Sequence, residues 1–455
     1  MERTALFVVS LSSFVTPLML SAVNVAIPEM AAALHVDTLV MNWVPTAYLL
    51  TSAVFLLPFG RLADLHGRRK IFLGGMIIVT LGSALAACAS SAAFLIGCRL
   101  LQGLGAAMLF STGVAILSSI FPKQRRGGAI GISVSMVYLG LTGGPLIGGW
   151  VTSHLSWRAV FLVPVPMTLL VTALALSKLR GEWKDPAARG FDPGAAFLYG
   201  LSICALMYGF SSLPAWTGWL IIGAGAAGMI VFVRGARTSE APLFDVNLFA
   251  GNRVFAFSCL ASFIAYSSTF GISYLMSLYL QYLKGLTPQA AGTVMVAQPV
   301  MMALFSPFSG RMADRFEPRH IASLGLLLVA AGLALLSRLQ SGSPLIHVVA
   351  GLMLVGFGFA LFSPPNVHAI MSSVDSRHLG TASGSVGTAR VLGQTFSMGI
   401  VSLVFAVMMG PVHLTPQHFA ALSHSISDSF AVAACLSFAG VFLSLARGDL
   451  HGTAR

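Results

Sequence analysis

Residues 60–70 read Gly60-Arg61-Leu62-Ala63-Asp64-Leu65-His66-Gly67-Arg68-Arg69-Lys70, a charged stretch between the apolar runs 42–60 and 71–90. Its first five residues come back as Gly310-Arg311-Met312-Ala313-Asp314, 250 positions later. Gly131 and Gly140 likewise return as Gly384 and Gly393, 253 positions on and with the same internal spacing. A chain that repeats a short turn between apolar segments is built from two copies of one helical unit. Six spans at ~20 residues each occupy with their loops only 1–180, so a plain tandem of six-helix halves would repeat sooner. The surplus in the offset fits 181–250, which holds two more apolar runs and the charged segment Gly181–Asp192. The expected order is a six-helix bundle (1–180), two inserted helices with their linkers (181–250) and a second six-helix bundle (251–455).

The composition agrees. Of 455 residues 56% are hydrophobic and 9% charged, where a soluble domain carries about 25% charged residues. So little charge cannot cover a globule of this size, which excludes a soluble enzyme; disordered, collagen-like and coiled-coil chains are excluded with it. Apolar runs recur near 5–28, 42–60, 71–90, 93–119, 128–151, 158–178, 193–213, 216–234, 254–281, 289–309, 320–338, 344–371, 379–409 and 428–446. The fold class is an all-α membrane protein with fourteen transmembrane helices. The first run is too long for a signal-peptide core and is read as a helix. Of the 26 Lys and Arg residues, 21 fall in alternate loops on one side, three (Arg158, Lys284 and Arg338) on the other, and Arg99 and Arg390 lie inside helices. The positive-inside rule then places both termini in the cytoplasm. The net charge of +12 is therefore anchoring charge, and no nucleic-acid partner is expected. No N-x-[ST] sequon occurs, which favours a bacterial cytoplasmic membrane. The five cysteines sit in apolar runs without a CxxC pair and read as small hydrophobes.

Parallel repeats point to a secondary transporter with a substrate path where the halves meet. The residues that stand out are those a bilayer penalises. Arg99, in Phe94-Leu-Ile-Gly-Cys-Arg99-Leu-Leu-Gln102, is a cation inside the fourth helix, at a cost of at least ~3 kcal/mol on insertion scales; Gln102 shares its face. It either lines a cavity or ties down backbone carbonyls. Arg390 and Gln394 pair in the same way on helix thirteen. Helix one carries Ser10, Ser13, Pro17, Ser21 and Asn24 at helical spacing, and helix nine Ser262, Tyr266, Thr269, Ser273 and Ser277; such stripes serve cavities or helix packing. His368 follows Pro364-Pro365 and is either a titrating or a structural group. Gly140, Gly144 and Gly148 recur at i+4, with Pro145 and Gly149 among them, a face for close helix approach and bending. Asp64, with its copy Asp314, reads as one side of an ion pair that forms and breaks between conformations, and Arg68 as its neighbour or as a membrane anchor. The GxGxxG match at Gly223–Gly228 follows no strand and lies in an apolar helix, so it is a packing face. No metal cluster, nucleophile elbow or phosphate loop is present, so no enzyme activity, cofactor or metal is expected.

These stretches resemble the signature motifs of the major facilitator superfamily: the helix 2–3 loop, R-x-x-Q-G at Arg99–Gly103 and G-P-x-x-G-G at Gly144–Gly149. Ser21-Ala-Val-Asn24-Val-Ala-Ile-Pro28, Trp157-Arg158 and Gly380-Thr-Ala-Ser-Gly384 … Arg390-Val-Leu-Gly393 are similar to its fourteen-helix drug:proton antiporter group. The resemblance covers essentially the whole chain. It implies a multidrug-efflux-like antiporter that exports hydrophobic or amphiphilic small molecules in exchange for protons, as a monomer in the bilayer. Gly60, Asp64, Gly67, Arg68 and Asp314 would form the conformational latch. Arg99, Gln102, Asn24, Arg390, Gln394 and His368 would form the coupling and substrate cavity, and Gly140, Gly144, Pro145, Gly148 and Gly149 the antiporter-type hinge. The chain departs from the group in one respect. Where helix one of the group carries an acid, this chain has Met19, and all fourteen acids fall in loops or at helix ends. The intramembrane charges are then positive, which suits neutral or anionic amphiphiles and leaves a carrier for an anionic or neutral metabolite as the alternative function.

Overall fold

The computed structural model describes residues 2–179, 181–184, 190–213, 215–239, 242–243, 246–313, 316–374, 379–410 and 414–448. Among them the chain forms long helices and no strand. We label the rods α1 Glu2–Leu34, α2 Thr38–His66, α3 Arg68–Ala87, α4 Ala92–Ile120, α5 Lys123–His154, α6 Trp157–Lys178, α7 Pro193–Ser211, α8 Trp216–Thr238, α9 Arg253–Leu283, α10 Pro288–Ala313, α11 Pro318–Leu336, α12 Leu345–Ser372, α13 Leu379–Met408 and α14 Phe419–Ala446. Among the described residues thirteen helices are long and apolar enough to cross a membrane. Helix α5, 32 residues long, opens on the basic stretch Lys123–Arg126.

The starts of these rods follow from local chemistry. The side chains of Asp37, Ser91, Asp192, Asn252 and Thr287 accept from the backbone N–H three residues on, at 2.8, 3.3, 2.9, 2.9 and 3.3 Å. Each satisfies one of the four N–H groups that a helix start leaves open, which in a bilayer have no water to turn to. Three rods are broken. α6 turns at Val163 before Pro164, α10 turns at Val296, and α9 turns at Phe270–Gly271 and ends in a π-helical turn, Tyr279–Leu283.

Packing repeats with the sequence. α1 packs on α5, α2 and α3 on α4, and α3 on α6; α9 packs on α13, α10 and α11 on α12, and α11 on α14. Every pair recurs eight helices later. Between the two sets, α2 meets α13 and α5 meets α10, contacts that exchange under the same shift. α7 and α8 pack on each other, and α7 lies on both α2 and α13. The glycine run in α8 serves that pair, since a Cβ at Gly225 or Gly228 would press on Ser202 and Leu206 of α7.

Two boundaries differ from the sequence expectation. The stretch 60–66 is helical, so Gly60 lies within α2 and the turn is the one residue Gly67. Arg61, Asp64 and His66 end an amphipathic helix that emerges from the apolar layer, and charge had masked its periodicity. α14 begins at Phe419, nine residues before the apolar run, so Asp428 lies inside a helix, on its exposed face. Glu29 likewise falls within α1, where its carboxylate accepts from the Trp157 N–H at the start of α6 (3.3 Å).

Candidate functional site

The polar residues divide into three groups. The first is Arg99. Its side chain is fully buried among α2, α3 and α4. Nε donates to the Val44 carbonyl at 3.0 Å, Nη1 to Gln102 Oε1 at 2.6 Å, and the guanidinium lies 4.5 Å from the Tyr48 ring centroid. Gln102 donates to Ser83 Oγ at 3.0 Å, and Ser83 lies 3.6 Å from Met19 Sδ. A chain of polar contacts therefore runs from Arg99 to the position in α1 where the resembled group carries an acid. Nη2 meets no protein partner. Arg99 and Gln102 are thus sealed inside one bundle and do not line an open cavity. Asn24 is also buried, its Oδ1 unpartnered. The α1 stripe faces α5: Ser13 bonds Ser133 at 2.8 Å and Ser21 donates to the Leu141 carbonyl at 3.4 Å. At Ser13 and Ser21 it is a helix contact, because α5 lies against them.

The second group lies between the bundles. The Arg390 guanidinium on α13 is 5.1 Å from the Phe110 ring of α4 and acts electrostatically on the hydroxyls of Tyr48, Tyr138 and Tyr266. Tyr138 of α5 bonds Ser363 of α12 at 3.1 Å, and Tyr266 of α9 packs beside Gly393, one turn along α13 from Arg390. Gln394, one turn along α13, is partly exposed. His368 on α12 is partly exposed, with Nε2 3.5 Å from Ser372 Oγ. The sequence reading missed Tyr138 and Ser363, whose residue types carry no signal of their own.

The third group closes one end, the end away from the start of α1. Gln281 donates to the Val25 carbonyl at 2.8 Å, Tyr282 to the Pro28 carbonyl at 3.4 Å, Asn42 to Ser402 Oγ at 3.2 Å, and the Gln289 N–H to Ser153 Oγ at 3.1 Å. All four bonds join one bundle to the other. The π-helical turn of α9 brings Gln281 and Tyr282 to α1; such turns often mark functional sites. A cavity of about 200 Å³ remains at this end, lined in part by His35, Tyr274 and Tyr282.

The glycine face has two sides. A Cβ at Gly140 would lie 2.3 Å from the Phe14 carbonyl, at Gly144 2.5 Å from Ser21 Cβ, and at Gly148 2.7 Å from the Ala22 backbone. Those three bring α5 onto α1 within one bundle. Gly149 and Pro145 instead face α10, where a Cβ at Gly292 would lie 2.1 Å from the Pro145 carbonyl.

At the α2–α3 turn, Arg68 holds Asp64 Oδ1 through Nε (3.0 Å) and Nη2 (2.8 Å), and Nη1 reaches Ser119 Oγ at 2.6 Å. The segment after α6 clasps this turn. Glu182 Oε1 accepts from the Arg69 N–H (2.8 Å), the Trp183 carbonyl from the Arg68 N–H (2.9 Å), and the Gly190 carbonyl from Arg61 Nε (3.1 Å). Asp314 lies outside the described residues. Gly67 has φ +123°, and a Cβ there would lie 2.3 Å from Glu182 Cδ. Gly67→Ala is expected to cost ~1–3 kcal/mol for the backbone alone, more with the collision. Thermal unfolding of the purified variant checks this; an unchanged melting point would rule it out.

At the same end, in the second bundle, Arg447, read from sequence as a loop cation, is buried. Its Nη1 donates to Asn366 Oδ1 at 2.8 Å, and Asn366 Nδ2 donates to Ser262 Oγ at 2.8 Å.

Two pseudo-equivalent helical bundles around a shared polar centre, sealed at one end, define a polytopic membrane carrier. The family model described as Major Facilitator Superfamily matches residues 9–249 and 258–451, and the chain belongs to that family. It is 28% identical to the riboflavin transporter RibZ of Clostridioides difficile (strain 630), over 97% of this chain and 96% of the relative. It is 32% identical to the multidrug resistance protein Stp of Mycobacterium tuberculosis (strain CDC 1551 / Oshkosh), over 85% of this chain and 73% of that protein. Its fold matches a POT family transporter in complex with a thioalcohol-conjugated peptide at TM-score 0.71 and 14% identity, over 96% of this chain and 94% of that one. The protein is thus a multi-pass membrane transporter of small molecules and not an enzyme.

Proposed function

We propose that the protein is a secondary active exporter of hydrophobic or amphiphilic small molecules, driven by proton influx through alternating access of two six-helix bundles, 1–180 and 251–455. The inserted pair 181–250 brings the crossings to fourteen, with both termini cytoplasmic, in a bacterial cytoplasmic membrane, and the working unit is the monomer. The observation that carries this reading is the centre between the bundles, where Tyr138 of one bonds Ser363 of the other and Phe110 of the first faces Arg390 of the second. A site built from both halves changes shape when they rock, which is what alternating access needs. With the N-terminus cytoplasmic, the four-bond seal is the outer gate, closed here. Asp64–Arg68 is the latch at the inner end, Arg99 the coupling group and the glycine face of α5 the pliable element. Similarity to multidrug resistance protein Stp supports drug-like cargo.

The second reading, a carrier for an anionic or neutral metabolite, is favoured by the Arg390 cation at the centre, which has no ion pair among the described residues, and by similarity to a riboflavin transporter. Purified protein in liposomes under an imposed pH gradient separates the two. Gradient collapse on adding a lipophilic cationic drug supports exchange of drug for protons. Response to organic acids alone supports the second reading, and no response to any compound overturns proton coupling.

A further inference from the structure

Among the described residues Arg390 makes no hydrogen bond and no ion pair, the one ion pair there being Arg68–Asp64 at the α2–α3 turn. It is partly exposed, whereas Arg99 is fully buried and spends its donors inside its own bundle. Arg390 is therefore a core cation with a planar fork of N–H donors to offer a ligand. Its surroundings are aromatic: the Phe110 ring at 5.1 Å and the Tyr48, Tyr138 and Tyr266 side chains within electrostatic range.

Such a fork binds a carboxylate or sulfonate through two parallel hydrogen bonds, worth more in a low-dielectric interior than in water. The rings add stacking area for a flat body attached to the acid. A lipophilic cation at the same place meets an unscreened like charge. Glu29 is taken up by the Trp157 N–H and Asp64 by Arg68, so neither offsets Arg390. We propose that Arg390, with Phe110, Tyr138 and Tyr266, forms a recognition site for aromatic anions, and that cargo bearing a carboxylate or sulfonate on a planar ring system is preferred over lipophilic cations of the same shape. This rests on the reading of the protein as a small-molecule transporter and narrows its substrate class.

Two xanthene dyes test it, anionic fluorescein and cationic rhodamine 6G, with binding to the full-length purified protein followed by fluorescence polarisation. Fluorescein is expected to bind ~10-fold or more tightly than rhodamine 6G, a factor worth about 1.4 kcal/mol. Arg390→Gln should abolish that preference by weakening fluorescein alone, and Arg390→Lys should keep part of it. Equal melting points for both variants and the parent show that the fold is intact. Equal affinity for both dyes in the parent protein, or an undiminished preference in Arg390→Gln, overturns the proposal. So does displacement of fluorescein by phosphatidylglycerol at the level found in bilayers, because the site would then hold a lipid headgroup. Equilibrium binding needs no gradient. Tight fluorescein binding without gradient-driven flux would thus count against the transport reading while leaving the site standing.

Discussion

Arg99→Ala is expected to abolish transport while leaving the protein inserted and folded. The guanidinium sits in an apolar interior with two hydrogen bonds, one ring beneath it and one nitrogen unpartnered. Placing a cation there costs at least ~3 kcal/mol. Against that stand a cation–π contact of ~1–2 kcal/mol and two charge-assisted bonds of about 1.5–3 kcal/mol each. The cost of ~3 kcal/mol offsets much of a gain of ~4–8 kcal/mol, so an alanine weakens the bundle by at most a few kcal/mol and does not unfold it. What the alanine removes is the positive charge and the tether from α4 to the Val44 carbonyl of α2. Gln102, Ser83 and Met19 continue that tether to α1, so a change at Arg99 reaches three helices of the bundle. Flux in liposomes should fall to the level of protein-free vesicles, with the melting point within a few degrees of the parent. Arg99→Lys keeps the charge but lacks the fork that spans Val44 and Gln102, and should transport at a reduced rate. Normal flux in Arg99→Ala would remove Arg99 from the mechanism.

Gly148→Val should have the opposite signature, a loss of the fold itself. The added Cβ would stand 2.7 Å from both the Cα and the carbonyl oxygen of Ala22. Backbone atoms of a neighbouring helix do not move aside as a flexible side chain does, so α1 and α5 must part along their length. Overpacking in a core costs ~1–3 kcal/mol where side chains can adjust, and here they cannot. The two γ-methyl groups widen the gap further, and Gly140 and Gly144 would lose their contacts as the helices separate. We expect aggregated rather than monodisperse material on size-exclusion chromatography, with Gly148→Ala intermediate. A Gly148→Val protein that runs and melts like the parent would mean that the α1–α5 crossing is looser than it stands here.

What could be read from the chain, and what could not, follows from how far each signal reaches. Hydropathy is local, so the spans emerge. The repeat of Gly60–Asp64 at Gly310–Asp314 is a comparison of the sequence with itself, so the doubled architecture emerges too. The turn was misplaced because charged residues can end a helix as well as form a loop, and only Gly67 has the backbone angle that breaks it. The polar stripe of α1 could not be assigned to packing without knowing that α5 lies against it. Arg447 looked like one more anchoring cation until the chain folded it back onto Asn366. Tyr138 and Ser363 are 225 residues apart, and nothing in either neighbourhood announces the other.

The inserted helices make the two flanks of the molecule unequal. α7 lies across the α2–α13 seam, with its Tyr199 hydroxyl donating to the Ala53 carbonyl of α2 (3.0 Å) and its Phe210 ring edge-on to Phe396 of α13 (5.0 Å). Among the described residues neither inserted helix packs closely on the α5–α10 seam. One flank is stapled and the other carries neither inserted helix. When the bundles rock, the stapled flank would act as a spine and the bare one as a side door, so a molecule dissolved in the bilayer would have a single lateral route to the centre.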